Sequence, residues 1–201
     1  MPLAASSATV ENGSFEDIGG GSLNGSGWNI FSSVPGWDGS PDIEIQSAPT
    51  LSGIDAQDGD YYVELDTHAN TTISQDIDFG VGAYELSFFY SPRVNTSPTT
   101  TNDMLFGLSG GLVSGSVLGA PTVSYPWGAW TEVTTTFTVA TAGTYTLSFS
   151  GTGAENEKNG CGDCGALIDN VSISAVPVPA AGLLLAGALG GLGLMRRRKK
   201  A

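Results

Sequence analysis

From residue 10 to residue 175 apolar and polar residues alternate with a period of two, and no stretch there sustains the 3.6-residue period of a helix. Ile43 and Ile45 alternate with Asp42, Glu44 and Gln46. Tyr61, Val63 and Leu65 alternate with Tyr62, Glu64 and Asp66, and Ile73 and Ile77 share a parity in the next run. Such runs predict half-buried strands, with Glu64 and Asp66 on a solvated acidic face. Tyr84, Leu86, Phe88 and Tyr90 predict another strand, and so does Met104 to Leu108. Val133, Phe137 and Val139 follow in a Thr-rich run that suits an exposed strand face, then Tyr145, Leu147 and Phe149. In the last run, Ala166 to Ser174, Asp169 has the parity of Leu167, Val171 and Ile173, so a regular strand would carry its carboxylate to the core side. Many short strands cut by Gly, Pro, Asn and Asp predict an all-β, two-sheet jelly-roll sandwich.

The pattern changes at the C-terminus. Ala180 to Met195 carries no charge, and as a helix it spans about 24 Å, a little short of the roughly 30 Å hydrocarbon core of a bilayer. Val176, Val178 and a snorkelling Arg196 make up the difference. The run Arg196-Arg197-Arg198-Lys199-Lys200 stays cytoplasmic by the positive-inside bias, which puts the body on the far side of the membrane. The chain therefore divides into residues 1–8, a signal-peptide remnant or disordered N-terminus, a β-sandwich over 9–175, and a tail over 176–201 with one transmembrane helix.

Composition sharpens this picture. Gly (29 residues) is abundant, apolar residues make up 40% and charged residues only 13%, so the polar excess lies in turn formers. The net charge is −13, but the tail holds five of the seven cations, leaving Arg93 and Lys158 against 20 carboxylates in the body. That surface repels phosphates, which excludes nucleic acid as a partner, and attracts divalent cations. Cys161 and Cys164 are the only cysteines and His68 the only histidine, too few ligands for a closed zinc site. In an oxidising compartment the Cys-Gly-Asp-Cys segment reads as a local disulfide; the other reading is a redox pair, which lacks the surrounding βαβ pattern.

Two resemblances add to this. Val176-Pro177-Val178-Pro179-Ala180, followed by the apolar span and the basic cluster, resembles the VPLPA variant of the PEP-CTERM sorting signal, with Val178 in place of Leu. The resemblance implies an exosortase as partner, cleavage near the Pro motif, and a final location at the cell surface or in the extracellular matrix. In the body, Asn12-Gly13-Ser14-Phe15-Glu16, Val34-Pro35-Gly36-Trp37, Asp58-Gly59-Asp60-Tyr61-Tyr62-Val63-Glu64 and Ile168-Asp169-Asn170-Val171 occur in an order similar to galactose-binding-like jelly rolls and carbohydrate-binding modules. That implies carbohydrate or exopolysaccharide as partner and a structural calcium between Glu16 and Asp169. A carboxylate on a core face needs a counter-charge, the body is nearly without cations, and calcium suits oxygen-only ligands. The other reading has Asp169 accepting backbone N–H groups at a strand end or bulge.

Catalytic constellations are thin. Gly107-Leu108-Ser109-Gly110-Gly111 fits G-x-S-x-G, but no helix pattern follows, and His68 precedes the serine. The carboxylates at Asp55, Asp58, Asp60, Glu64 and Asp66 are too numerous to single out a catalytic pair. Of the tryptophans, Trp37 reads as core after its turn, Trp28 lies beside Gly-rich sequence, and Trp127 and Trp130 are the candidates for stacking on sugar. The expectation is a non-catalytic, membrane-anchored surface or matrix protein that binds carbohydrate; the alternative is a purely structural surface protein.

Overall fold

The computed structural model describes residues 8–48, 50–51, 54–93, 102–117, 128–153 and 164–177. Ten strands account for most of them: β1 (Trp28–Val34), β2 (Trp37–Ser47), β3 (Tyr61–Glu64), β4 (Thr72–Phe79), β5 (Gly82–Pro92), β6 (Met104–Leu108), β7 (Val113–Val117), β8 (Thr131–Val139), β9 (Gly143–Gly151) and β10 (Ala166–Ala175). Every pairing is antiparallel, in the order β7-β6-β9-β4-β2-β3-β10-β5-β8, with β1 beside β2.

β2 divides this path into two layers. Its first half pairs with β4 through Asp38 to Ser40, and its second half pairs with β3 through Glu44 to Ser47. The turn that launches it, Pro35-Gly36, joins Val34 to its partner Trp37, and Gly36 takes the positive φ (82°) that a Pro-Gly turn needs at its second central residue.

The layers close over an aromatic core. Phe88 of β5 meets Phe149 of β9 at 4.9 Å and Phe106 of β6 at 5.0 Å, and Phe79 of β4 meets Phe137 of β8 at 5.7 Å. Trp37 lies between Phe15 and Phe149, almost wholly buried, and its indole N–H donates to the Asn12 carbonyl at 3.1 Å. Alternation on β5 predicts this correctly, since Tyr84, Leu86, Phe88 and Tyr90 are all buried.

Two expectations are corrected. Glu64 and Asp66 do face away from the core, yet neither is solvated: they are 0% and 3% exposed. On β10 the parity reading of Asp169 fails because the pairing with β5 shifts register between Asp169 and Ser172, where Asn170 adopts φ 49°. This bulge inserts one residue, so Ile168, Val171 and Ile173 enter the core while Leu167 and Asp169 fall on the opposite face.

Ser109 sits in a one-turn 3-10 segment (Ser109–Gly111) that joins β6 to β7 as a hairpin, and its hydroxyl accepts the Thr146 N–H. That is no nucleophile elbow. Among the described residues no helix is long and apolar enough to cross a membrane, and the expected span 180–195 lies outside them.

Candidate functional site

Strand pairing across the second layer brings distant polar residues into register on its outward face. Glu44 lies opposite Glu64, which lies opposite Leu167, and Leu167 opposite Ser91. In the next row Trp28 is opposite Gln46, and Gln46 opposite Tyr62. Arg93, just beyond β5, reaches back to this face and donates to Glu64 Oε1 in the one ion pair among the described residues. Gln46 Nε2 donates to Glu44 Oε1 at 2.8 Å and to Glu64 Oε2, while the Gly165 N–H donates to Glu64 Oε1 at 2.7 Å. The network is nearly dry: Glu64 is 0%, Gln46 1% and Glu44 6% exposed.

Burial dominates the electrostatics there. It raises the Glu64 carboxyl well above the ordinary carboxylate range, against the opposing pull of Arg93, with Glu44 pushing it further up. Tyr62 is raised as well, by burial first and then by the neighbouring Glu64.

Above this floor opens a cleft of about 300 Å3, walled by Trp28, Leu51, Thr67, His68 and Arg93, with Glu44 and Gln46 at its base. Trp28 is half-buried and His68 exposed. The cleft stops at Tyr62 and Leu167 because Ile54 packs on them, and Trp130 closes the same patch. The Trp130 indole N–H donates to the Asp55 carbonyl at 2.7 Å, and its ring meets Tyr62 edge-on at 5.7 Å. Trp130 thus braces a loop against the sheet; Trp127 lies outside the described residues. Trp28 was one of the aromatic candidates for ligand contact in the sequence, whereas nothing there singled out Gln46 and Arg93, which only strand pairing brings beside it.

A larger cleft of about 490 Å3 lies where the β1–β2 hairpin meets β4, rimmed by Glu11, Asp38, Asp76 and Asp78. Its one aromatic, Trp37, is buried, and the Gln75 amide is engaged by Glu11 and Gly36. Thr144 and Thr146 donate to Asp78 and Asp76 at 2.6 Å. It offers a ligand carboxylates and the hydroxyls of Thr9, Ser33 and Ser74, with no exposed aromatic plane among its described lining.

Glu16 and Asp169 converge on one segment, Gln57 to Tyr61. Glu16 Oε1 accepts the N–H groups of Asp60 and Tyr61, at 2.9 and 2.8 Å. Asp169 Oδ2 accepts those of Gln57 and Asp58, at 2.8 and 3.0 Å, and Oδ1 accepts that of Asn170 at 2.6 Å. Burial pushes Asp169 up to about 7, although its three N–H donors pull the other way. Gly59 suits this crossing: it takes φ 74°, and a Cβ there would displace the Glu16 carboxylate from its two N–H donors. Oxygen ligands fit calcium in kind. Among the described residues, however, no group of three or more His, Cys, Asp or Glu is placed to hold a metal ion.

Cys164 is buried and disulfide-bonded, and Cys161 lies outside the described residues. Of the expected sorting motif, Val176 and Pro177 are described, the Val176 N–H donating to the Ala83 carbonyl; Val178, Pro179 and Ala180 lie outside the described residues.

No protein-family model matches the chain, and no curated protein does. Solved structures include a CBM4 carbohydrate-binding module at TM-score 0.46 and 17% identity, covering 83% of this chain and 99% of its own. The CBM22-1 xylan-binding domain of Paenibacillus barcinonensis Xyn10C aligns at TM-score 0.45 and 13% identity, covering 89% and 99%. The carbohydrate-binding module CBM6cm-2 of Cellvibrio mixtus lichenase 5A, solved with cellotriose, aligns at 0.40 and 14%, covering 67% and 88%. Similarity this distant leaves the ligand to be read from the cleft itself.

Proposed function

We propose that this chain is a non-catalytic carbohydrate-binding domain whose ligand lies in the cleft over β2 and β3. The observation that carries the reading is the Glu44–Gln46–Glu64–Arg93 row, locked by the sheet beneath a cleft with Trp28 in its wall. Sugars present hydroxyls at their edges and C–H groups on their faces, so a sugar site needs rigid polar groups beside an aromatic plane. The row supplies the first and Trp28 the second, without a catalytic pair being invoked.

Titration calorimetry with neutral and acidic oligosaccharides on the full chain tests this. Trp28→Ala is expected to weaken binding at least about tenfold, the effect of losing one stacking face. Trp130→Ala is expected to lower the melting temperature more than the affinity, because its ring braces the 54–56 segment. Retention of no glycan overturns the reading in favour of a purely structural surface protein, and Trp28→Ala binding like the wild type removes the β2–β3 cleft as the site.

The same proposal places the body outside the cytoplasm, with residues 176–201 read by an exosortase. It rests on the tripartite tail: Pro motif, uncharged span, basic cluster. Intact-mass measurement of the surface-exposed form is expected to show loss of Arg196 to Ala201; a full-length mass there excludes processing.

Calcium at Glu16 and Asp169 belongs to the proposal as a stabilising ion, which would share the carboxylates' remaining lone pairs with the N–H groups of 57–61. Thermal melting in excess calcium is expected to exceed that in chelator, and Asp169→Asn to remove the difference. Identical curves for the wild type leave the N–H clamp as the only link.

A further inference from the structure

We infer that the ligand of the β2–β3 cleft is an uncharged glycan, and that the cleft discriminates against uronic-acid chains by charge. This rests on the carbohydrate reading above and narrows it to one substrate class.

The first support is the inventory of charge. Arg93 is the sole Lys or Arg among the described residues, and its guanidinium is already engaged by Glu64. Recognising a carboxylate takes a guanidinium fork or a cluster of cations free to face the ligand, and among the described residues the cleft provides neither. His68 at the rim is the only other nitrogen base in the described domain.

The second support is the sign of the field. Glu64 is bonded to Arg93, so the carboxylate that sets the sign at the base of the cleft is Glu44. A ligand carboxylate entering the cleft would meet Glu44 at its base, in surroundings too dry to screen the repulsion. At longer range the net charge of −13 opposes the approach of a polyanion.

The third support is hydrogen-bond polarity. The Gln46 amide donates to Glu44 and Glu64, and the Gly165 N–H donates to Glu64, so these donors are spent within the protein. The base of the cleft therefore faces the ligand with carboxylate oxygen, which calls for a ligand that donates. Sugar hydroxyls donate; an ionised uronate carboxylate only accepts.

The test compares hexagalacturonate with its methyl ester, which share a backbone and differ in charge, beside cello-, xylo-, laminari- and mannohexaose, by calorimetry on the full chain. The expected result is binding of at least one neutral hexamer, with the free acid at least about tenfold weaker than the tightest neutral ligand. Raising salt from about 0.05 to about 0.5 M should tighten the acid and leave the neutral ligand unchanged, because screening removes a repulsion. Glu44→Gln, which keeps the shape and removes the charge, should narrow the gap; the salt series gives the same answer on the wild type should that variant fold poorly. An acid hexamer that binds as tightly as the neutral one, or that weakens with salt, overturns this inference while leaving carbohydrate binding intact. Binding of no hexamer overturns both.

Discussion

Asp169→Ala is expected to destabilise the domain by about 3 kcal/mol, a drop of roughly 10 °C in melting temperature at this chain size. The carboxylate is fully buried and accepts three backbone N–H groups, those of Gln57, Asp58 and Asn170. Each charge-assisted bond contributes about 1.5–3 kcal/mol, but Asp58 is exposed and water can reach part of what is uncovered, which holds the total well below the sum of the three. The loss is also geometric. Asp169 ties β10 to the segment leading into β3, and the Asn170 side chain reinforces that tie through the Gln57 amide at 2.7 Å. Asp169→Asn keeps one carbonyl acceptor and should cost about half as much, whereas Glu16→Ala, at an exposed residue, should cost about 1 kcal/mol. Chemical denaturation in chelator measures all three. A loss below about 1 kcal/mol for Asp169→Ala would mean that the N–H groups find other acceptors.

Arg93→Met should be comparably damaging, and its cost should depend on pH. Removing one partner of a buried ion pair strands the other, which costs about 3–5 kcal/mol while the survivor stays ionised. Glu64 is the survivor, fully buried beside Glu44. Its folded-state pKa is already raised by burial, so between the ordinary glutamate value of about 4.3 and the raised one the folded protein binds more protons than the unfolded chain. Stability from this group is therefore fully present below that window and falls as pH rises through it. Without Arg93 the Glu64 carboxyl rises further and the fall extends to higher pH. Both should therefore lose stability in parallel up to about pH 8, and only above it should the variant fall below the wild type, by about 3 kcal/mol near pH 10. Glu64→Gln should flatten the slope in either background. A gap between Arg93→Met and wild type that does not widen from pH 8 to pH 10 would show that Arg93 acts through packing and other contacts rather than through Glu64.

Which residues form strands, and which of them enter the core, was legible along β5 and β9, where alternation picks out Tyr84, Leu86, Phe88, Tyr90, Leu147 and Phe149. Trp37 was legible as well, because a Pro-Gly turn leaves the following aromatic at the head of an inward-facing strand. The reading of Asp169 went astray at one residue. A left-handed Asn170 adds a position to β10, and strand parity carries no warning of a bulge.

By itself, then, the sequence determined the alternation, hence the all-β class and most of the core, together with an acidic body that has almost no cations. Those properties are local or additive, and a period of two assigns each side chain to a face without knowledge of its neighbours. Only the tertiary structure decided what lies over the outward face. Ile54 and Trp130 cover Tyr62 and Leu167, so that Glu64 is buried with Arg93 instead of solvated, and beside that cover a cleft is left open between Trp28 and His68. Trp28, Glu44, Glu64 and Arg93 lie far apart along the chain and meet because β1, β2, β3, β10 and β5 pair side by side. Parity reports which way a side chain points; whether water, a loop or a ligand waits there depends on chain segments brought in from elsewhere.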